Sequence, residues 1–367
     1  MTSKAFGLAQ LGNAYADGAL SNRNIIINGA MQVAQRGTSF SGHTDGYTLD
    51  RWRLYRAGDA VYTVSQSSNA PSGFSKSLRV ECSTADAVVD GGDYSIIQYN
   101  IEGQDLQQLN YGSASAQPIT MSFWVRSNVT GVVTITNEVN AGPPFLAQDF
   151  TISQANTWEY KTLTWVGNTS TSIDDDNTTG IEFQMWLNAG GVFKASTYNS
   201  TTWNDVSGSR VNHSNINLSS TVGNYIEITG VQLEAGDTAT PFEHRSYGAE
   251  LALCHRYYFR FNPSAGNSNT LGVGFVDSST SSSHTHYFPG PMRAAPSALE
   301  QSGTAGNYAV RRGGGASTTC SAVPAFSDAN ITNATFRLAV SSGLTAGQAV
   351  SGRAVNTNAY LAWSAEL

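Results

Sequence analysis

The fold is decided by one stretch, Tyr225-Ile-Glu-Ile-Thr-Gly-Val-Gln-Leu-Glu-Ala-Gly-Asp-Thr-Ala-Thr-Pro-Phe-Glu-His-Arg-Ser-Tyr-Gly-Ala-Glu-Leu-Ala-Leu-Cys-His-Arg-Tyr-Tyr258, in which strand, turn and helix signals follow one another without a gap. Its apolar side chains first fall on even positions, Ile226 and Ile228, and then on odd ones, Val231 and Leu233. Because strand side chains alternate with period two, this change of parity requires one extra residue. Gly230 is best able to supply it, so we predict one strand with a β-bulge.

A short helix is predicted after the strand, with Ser246 as its N-cap and Leu251, Cys254 and Tyr258 on one shared face. The segments before and after this helix differ in composition, since those after it have Ser/Gly-rich loops and shorter strands. This difference indicates a boundary between two β domains. The predicted order is an N-terminal arm (1–24), a jelly-roll domain (25–246), the connecting helix (247–259) and a smaller C-terminal β domain (260–367).

The composition also favours an all-β fold. Charged residues make up 13 % of the 367, against about 25 % in typical domains, and glycine reaches 36 residues. Small polar residues accept turn dihedrals, while β-branched residues pack well on a pleated surface. The chain is long enough for two domains with their own cores.

Short alternating segments separated by turn residues are typical of an antiparallel sandwich or jelly roll. We predict strands at 25–35, 47–55, 60–66, 77–82, 94–101, 119–126, 132–137, 158–165, 181–188, 225–233, 271–276, 336–341 and in the closing run 358–367.

Two of these strands each place one tryptophan on their polar face. Trp124 lies beside Arg126, and Trp186 lies beside Gln184. An exposed aromatic ring among hydrogen-bonding groups suits a sugar ring, so these four residues, with Trp203 nearby, form the predicted glycan-binding set. Alternatively, the tryptophans are covered by another subunit or by the long insertion 189–222.

Several partners are disfavoured. A net charge of −7 and a pI near 5.3 provide no basic field for nucleic acid. No apolar run approaches the length of a membrane span, and the N-terminus lacks a secretory signal. We therefore expect synthesis in a cytoplasm. Cys82, Cys254 and Cys320 are expected to be buried thiols.

Several acidic residues and two histidines are candidate metal ligands. A hard cation such as calcium could bind at 174–176, a run of three aspartates, although a solvated acidic turn explains these residues better. Calcium could also bind around Glu234, Asp237 and Glu243. His284 and His286 share one strand face, so three chains around an axis could bind a transition metal; otherwise they are two polar residues on an exposed strand. The loop 311–315, Arg-Arg-Gly-Gly-Gly, lacks the P-loop lysine and is interpreted as a surface loop.

No catalytic motif is found. The chain contains neither a Gly-x-Ser-x-Gly elbow nor a His-Glu-x-x-His pair, so we expect no enzyme activity and no cofactor.

Three places resemble the fibre and receptor-binding proteins of tailed bacteriophages and related prophages. Residues 24–38 with 47–52 resemble the opening of their carbohydrate-binding-module-like jelly roll, 228–245 with 251–258 its closing strand and exit, and 287–296 the start of their C-terminal domain.

This resemblance implies a homotrimeric virion protein, assembled in the host cytoplasm, that contacts host surface polysaccharide and docks on other virion proteins through residues 1–24. Leu251, Cys254 and Tyr258 would then pack near the threefold axis. A tail fibre or receptor-binding fibre is the leading hypothesis. The alternatives are a capsid-attached head fibre or decoration protein, and a capsule depolymerase.

Overall fold

The computed structural model describes residues 22–263 and 270–367, and it confirms the all-β prediction. The chain divides into two compact units. The first ends at Tyr247 and also includes Leu367, whereas the second covers Gly248–Glu366. The predicted N-terminal arm, 1–24, lies outside the described residues except for its last three. No helix in the described ranges is long and apolar enough to cross a membrane.

The first domain is a sandwich of two six-stranded antiparallel sheets. Sheet A has the order β1-β4-β5-β12-β7-β10, and sheet B has the order β2-β3-β6-β11-β8-β9. The strands are β1 Ser39–His43, β2 Gly46–Tyr47, β3 Arg53–Ala57, β4 Val61–Ser67, β5 Ser77–Thr84, β6 Tyr94–Glu102, β7 Ile119–Ser127, β8 Gly131–Val139, β9 Gly142–Ile152, β10 Glu159–Trp165, β11 Thr179–Ala189 and β12 Tyr225–Ala235.

Alternation along β7 and β11 explains how the two sheets pack. Met121 and Phe123 of β7 and Phe183 and Met185 of β11 point between the sheets and belong to one buried core. Full burial of each such side chain stabilises the fold by roughly 1.5–3 kcal/mol. The even-numbered residues of both strands therefore lie on the two outer faces of the sandwich.

The predicted bulge in β12 is confirmed. Thr229 pairs with Trp124 of β7, but Gln232 pairs with Ser122, so β12 holds one residue more than β7 between these pairs. Gly230 adopts a φ of 62°, which glycine reaches at little cost. The bulge keeps Val231 and Leu233 on the core side.

The segment 25–35 is not a strand, contrary to our prediction. It is a buried loop in which Asn28 adopts a φ of 59°. The Asn28 side chain donates to the carbonyls of Val33 and Asp50 and accepts from the Val33 N–H. Two backbone hydrogen bonds also join the segment to β12, from Ile25 N–H to the Leu233 carbonyl and from Val231 N–H to the Gly29 carbonyl. Together these bonds satisfy backbone groups of a buried apolar segment without a regular strand ladder.

Two further strand predictions differ from the structure. The predicted strand 47–55 is interrupted by a turn at 48–52, where Arg51 has a φ of 72°. Strand β9 was not predicted, because Gly142, Pro143 and Pro144 at its start are residues that usually disfavour strands.

The second domain begins with helix α1, Tyr247–His255, and continues as two antiparallel sheets. A three-stranded sheet has the order β13-β22-β16, and a seven-stranded sheet has the order β18-β17-β21-β14-β15-β20-β19. The strands are β13 Tyr258–Phe261, β14 Thr270–Ser278, β15 Ser281–Tyr287, β16 Glu300–Gln301, β17 Tyr308–Arg312, β18 Ser317–Thr319, β19 Ala325–Ala329, β20 Asn333–Ala339, β21 Ala349–Ala354 and β22 Leu361–Ser364.

The predicted subunit seam at Leu251, Cys254 and Tyr258 is not supported. Helix α1 ends at His255, so Tyr258 lies on strand β13 rather than on a common helix face. Cys254 and Tyr258 are fully buried within a single chain, and the Tyr258 hydroxyl donates to Glu300 at 2.8 Å. Leu251 is half-buried. Contacts inside the chain therefore already cover two of the three side chains.

Candidate functional site

The two tryptophans predicted to form one site lie on opposite faces of the sandwich. Trp124 belongs to β7 of sheet A, and Trp186 belongs to β11 of sheet B. Both point away from the core between the sheets, because each occupies an even position in its strand. They cannot contact the same sugar ring.

Trp186 is buried, so the prediction that it is exposed is wrong. It is 1 % exposed, and its Nε1–H donates to Thr136 Oγ1 at 2.9 Å. Phe193 of the insertion 189–222 packs on its ring at a centroid distance of 5.0 Å, and Val211 belongs to the same buried cluster. The insertion therefore covers Trp186, which agrees with the alternative interpretation given above.

Gln184 lies in a buried polar array on the outer face of sheet B. Strand pairing places Gln184 opposite Gln98, and Glu182 opposite both Asn100 and Glu138. All five are less than a tenth exposed. Within the described residues, Gln98 Oε1, Asn100 Oδ1 and Gln184 Oε1 have no hydrogen-bond partner. The array has spare acceptors but is closed to large ligands.

Arg210 of the insertion forms an ion pair with Glu138 in this array. Burial raises the pKa of Glu138 to about 7, the positive charge of Arg210 opposes that rise, and the carboxylate of Glu182 adds to it. The Arg210 guanidinium also lies over the Phe145 ring at 4.8 Å. These contacts anchor the insertion over sheet B.

Trp203 belongs to neither face. It is half-buried, its Nε1–H donates to the Val166 carbonyl at 2.9 Å, and its ring packs on Tyr111 at 5.9 Å. Its apolar surface thus covers the edge of the sandwich core. The structure does not bring the three predicted tryptophans together.

Trp124 lies on a more open surface of sheet A. Its strand neighbours are Thr229 on one side and Tyr160 on the other. The Trp124 and Tyr160 rings are 5.4 Å apart and inclined at 57°, and Tyr160 is 47 % exposed. We call Trp124 and Tyr160 the aromatic pair. It offers an apolar surface to solvent.

Arg126 lies on the same face, two residues along β7, and is fixed by a buried carboxylate. Glu227 of β12 accepts from Arg126 at 2.7 Å, from Arg79 at 3.3 Å and from Asn69 Nδ2 at 3.0 Å. The Glu227 side chain is fully buried, whereas the two arginines remain partly exposed. Arg79 also forms an ion pair with Glu81 at 2.6 Å. Two arginines and two carboxylates therefore balance, so a neutral or weakly charged ligand fits this surface.

Tyr225 and Asn156 complete the surface around Arg126. The Tyr225 ring lies 3.7 Å from the Arg79 guanidinium and 5.3 Å from that of Arg126, and its hydroxyl donates to Asn156 Oδ1 at 2.6 Å. Arg126 Nε donates to the Asn156 carbonyl at 3.0 Å. Its Nη2 makes no hydrogen bond to any described residue, so it can donate to a ligand.

Sequence reasoning missed Tyr160, Tyr225, Asn69 and Glu227. The alternation of β10 indicates that Tyr160 faces outward, but no pattern shows that β10 pairs with β7. The Arg79, Glu227 and Arg126 triad joins three strands that are far apart in sequence. Such proximity depends on strand order.

Three of the predicted calcium ligands, Glu234, Glu243 and Asp176, are engaged in other contacts. Glu243 accepts from the backbone N–H groups of Asn22 and Asn24, and Glu234 accepts from Thr240 N and Gln232 Nε2. Asp176 accepts from Thr178. Within 22–263 and 270–367, no group of three or more His, Cys, Asp or Glu side chains could hold a metal ion.

The two histidines form part of the second domain's interior. His284 is 1 % exposed, lies within 2.9 Å of Ser282 Oγ and stacks on Phe336. Burial lowers its pKa to about 4. His286 packs against Trp363 and Phe261. Because His284 is enclosed, it does not fit a metal site shared between chains. All three cysteines are buried, as predicted.

Comparison with known proteins yields structural similarity only. No family model and no curated protein matches the chain. The enzymatically active domain of tailspike protein 4 from bacteriophage CBA120 is 15 % identical with a TM-score of 0.32, and the match covers 58 % of this chain and 21 % of that chain. The chain thus spans about a fifth of the length of that tailspike domain.

Carbohydrate-binding modules are also similar. A family 4 module is 12 % identical with a TM-score of 0.30, covering 57 % of this chain and 97 % of that one. A family 61 module in complex with β-1,4-galactotriose is 12 % identical with a TM-score of 0.28, covering 58 % of this chain and 99 % of that one.

Proposed function

We propose that the protein is a non-catalytic, homotrimeric fibre of a phage virion, and that its first domain binds host surface glycan on the outer face of sheet A. The aromatic pair, Trp124 and Tyr160, would contact the sugar ring. Arg126, Asn156 and Tyr225 would orient its hydroxyl groups. The virion location and the docking role of residues 1–24 are part of this proposal.

One observation carries the proposal: a half-exposed aromatic pair lies beside a guanidinium with an unused donor. Aromatic rings pack on the C–H faces of pyranose rings, while charged or amide groups hydrogen-bond to the hydroxyls. The triad of Arg79, Glu227 and Arg126 holds the donor in place, which lowers the entropic cost of binding.

A single shallow surface of this kind should bind weakly. If three chains assemble side by side, three copies of the site would engage one polysaccharide surface together. Avidity can then raise the overall affinity by orders of magnitude without new contacts. Weak single-site binding and firm adsorption of particles are therefore compatible.

The first prediction concerns the aromatic pair. Trp124→Ala and Tyr160→Ala should each weaken glycan binding about five-fold, because one aromatic contact contributes roughly 0.5–1.5 kcal/mol. The full-length protein would be screened on an array of bacterial surface polysaccharides, and the best ligand titrated by calorimetry.

Val166→Ala is a matched control, since Val166 follows β10 and is 50 % exposed but lies outside the proposed surface. It should leave binding unchanged. Circular dichroism would verify that all variants fold. If the Trp124→Ala, Tyr160→Ala double variant retains full affinity, the assignment of the site is wrong.

Two alternatives differ in their predicted outcomes. A capsid decoration protein would be present in many copies per particle and would be dispensable for adsorption, which immunogold labelling and a deletion phage would reveal. A capsule depolymerase would clear capsule as purified protein. The facing carboxylates Glu138 and Glu182 are covered, which favours the non-catalytic proposal.

A further inference from the structure

The seven-stranded sheet of the second domain has one face directed away from its core. On the core side lie Val276, Ser282 and Phe336, all buried. On the opposite face, Val273 and Phe275 of the central strand β14 are 61 % and 57 % exposed, and Tyr287 of the neighbouring β15 is 70 % exposed. We call this surface the open face.

Arginines flank the exposed apolar residues on both sides. Phe275 pairs with Ser283, which pairs with Arg337 on β20. In the other direction Val273 pairs with Ser351, which pairs with Arg311 on β17. With strands about 4.8 Å apart, each arginine Cα lies roughly 10 Å from the apolar centre. A serine lies between the apolar residue and the arginine on each side, Ser283 on one and Ser351 on the other.

Neither Arg311 nor Arg337 forms an ion pair or a side-chain hydrogen bond with any described residue, and both are exposed. In the first domain, by contrast, Arg53, Arg79 and Arg126 are paired with carboxylates. Two unpaired cations beside exposed aromatic rings indicate that the open face suits an anionic partner.

The charge of the second domain supports this view. Residues 248–366 contain seven arginines and five carboxylates, a net charge of +2, whereas residues 1–247 contain 13 basic and 22 acidic residues, a net charge of −9. On the open face itself, Asp277 accepts from the Ser283 hydroxyl at 2.8 Å, and Asp328 lies at the edge on β19. Neither carboxylate neutralises Arg311 or Arg337.

We propose that the open face binds an acidic polysaccharide whose sugar rings carry carboxylates. Phe275 and Tyr287 would stack on the pyranose rings, Arg311 and Arg337 would pair with carboxylates, and Ser283, Thr285 and Ser351 would bond to hydroxyls. A phosphate polymer without rings would leave the aromatic residues unused. This site adds to the proposed glycan-binding function but does not depend on the aromatic pair of the first domain.

A second copy of the chain fits this face less well. Two such faces would bring like charges together. The three apolar side chains, even if fully exposed, offer no more than roughly 600 Å², below the roughly 800 Å² per partner of a stable interface. A scattered apolar surface framed by arginines and hydroxyls suits a polar ligand better.

The test titrates the full-length protein with oligogalacturonate, and with fully methyl-esterified oligogalacturonate of the same length, which keeps the same linkage but is neutral. The acidic oligomer should bind more tightly, and its affinity should fall with added salt. Arg337→Gln and Arg311→Gln should each reduce affinity about three-fold, and Phe275→Ala about five-fold. Asp277→Asn should increase affinity, because it removes a repulsive carboxylate.

Matched controls are available for both kinds of change. Lys76→Gln removes one cation from the first domain, and Ile331→Ala truncates another exposed apolar residue of the second domain. Both should leave binding unchanged. Equal affinity for acidic and neutral oligomers, or wild-type binding by the Arg311→Gln, Arg337→Gln double variant, overturns the proposal.

Two further outcomes would also overturn the proposal for the open face. One would assign the acidic ligand to the first domain, and the other would give the open face a different role. If Trp124→Ala abolishes binding of oligogalacturonate and Phe275→Ala does not, the acidic ligand binds to the first domain. If Phe275→Ala instead lowers the mass measured by sedimentation, the open face is an interface between copies of the chain.

Discussion

Glu227 illustrates how one buried carboxylate can organise an exposed surface. Its oxygens accept from Arg79, Arg126 and Asn69, so a charge that would be costly to bury alone is paired and hydrogen-bonded. The two arginines in turn flank the Tyr225 ring. Neighbouring side chains on three adjacent strands are thereby fixed before any ligand arrives.

His284 yields a prediction at the same scale. Burial lowers its pKa from an ordinary value of 6.5 to about 4. The folded state therefore binds its proton less readily than the unfolded state does. Neutral, buried His284 therefore makes a contribution to the free energy of unfolding that depends on pH. This contribution is fully present above pH 6.5 and is lost as the pH falls from 6.5 towards 4. It amounts to at most about 3 kcal/mol.

The measurement is the free energy of unfolding of the second domain at pH 7 and pH 4.5. Trp363, the only tryptophan of that domain, can report it through fluorotryptophan NMR during a urea titration. His284→Asn should be less stable than wild type at pH 7 but show a smaller loss on acidification. An unchanged pH dependence in the variant would show that His284 is not the titrating group.

At the scale of elements, the bulged strand β12 holds the first domain's sheet A together. It lies between β5 and β7, and its bulge returns the apolar side chains to the core. A β-carbon on Gly230 would come within 2.6 Å of the Phe74 ring, which itself packs against Phe242. The bulge thus needs glycine for two reasons: the positive φ of the backbone and the lack of room for a β-carbon beside Phe74.

Gly230→Ala should destabilise the first domain by about 3 kcal/mol, since it combines left-handed backbone strain with overpacking. Gly42→Ala is the matched comparison. Gly42 has a φ of 65°, close to the 62° of Gly230, but an added β-carbon would meet no atom within 4 Å. It should cost about 1 kcal/mol. Equal losses in urea unfolding would show that contact with Phe74 is unimportant.

At the scale of the whole molecule, both domains expose polar or aromatic groups on outer sheet faces and enclose their cysteine side chains and most of their tryptophans. The proposed surfaces are the outer face of sheet A in the first domain and the open face in the second. If both proposed surfaces bind glycan weakly, assembly of three chains would raise the overall affinity through avidity.

The proposed trimer can be tested independently of the predicted subunit contacts of Leu251, Cys254 and Tyr258. The full-length protein should sediment with the mass of three chains. Cys254→Ala should leave this mass unchanged but lower stability by about 1–2 kcal/mol, because Cys254 is fully buried within one chain and its loss leaves a small cavity. If the Cys254→Ala variant sediments as a single chain, Cys254 lies at the subunit interface after all.

Sequence patterns alone were enough to predict the fold class, most strands of the first domain and the bulge at Gly230. These depend on local alternation and on the φ that glycine permits, which act within a few residues. The same alternation placed Trp124 and Arg126 on an outward face. It also predicted a strand at 25–35, where the side-chain hydrogen bonds of Asn28 override the pattern.

Only the tertiary structure decided which outward faces remain open. Trp124 and Trp186 have equivalent strand patterns, yet Phe193 and Val211 of the insertion cover one of them and leave the other beside Tyr160. His284 has the sequence of an exposed polar strand but packs against Phe336. Alternation fixes the side of a sheet, whereas strand order and long-range packing determine what covers it.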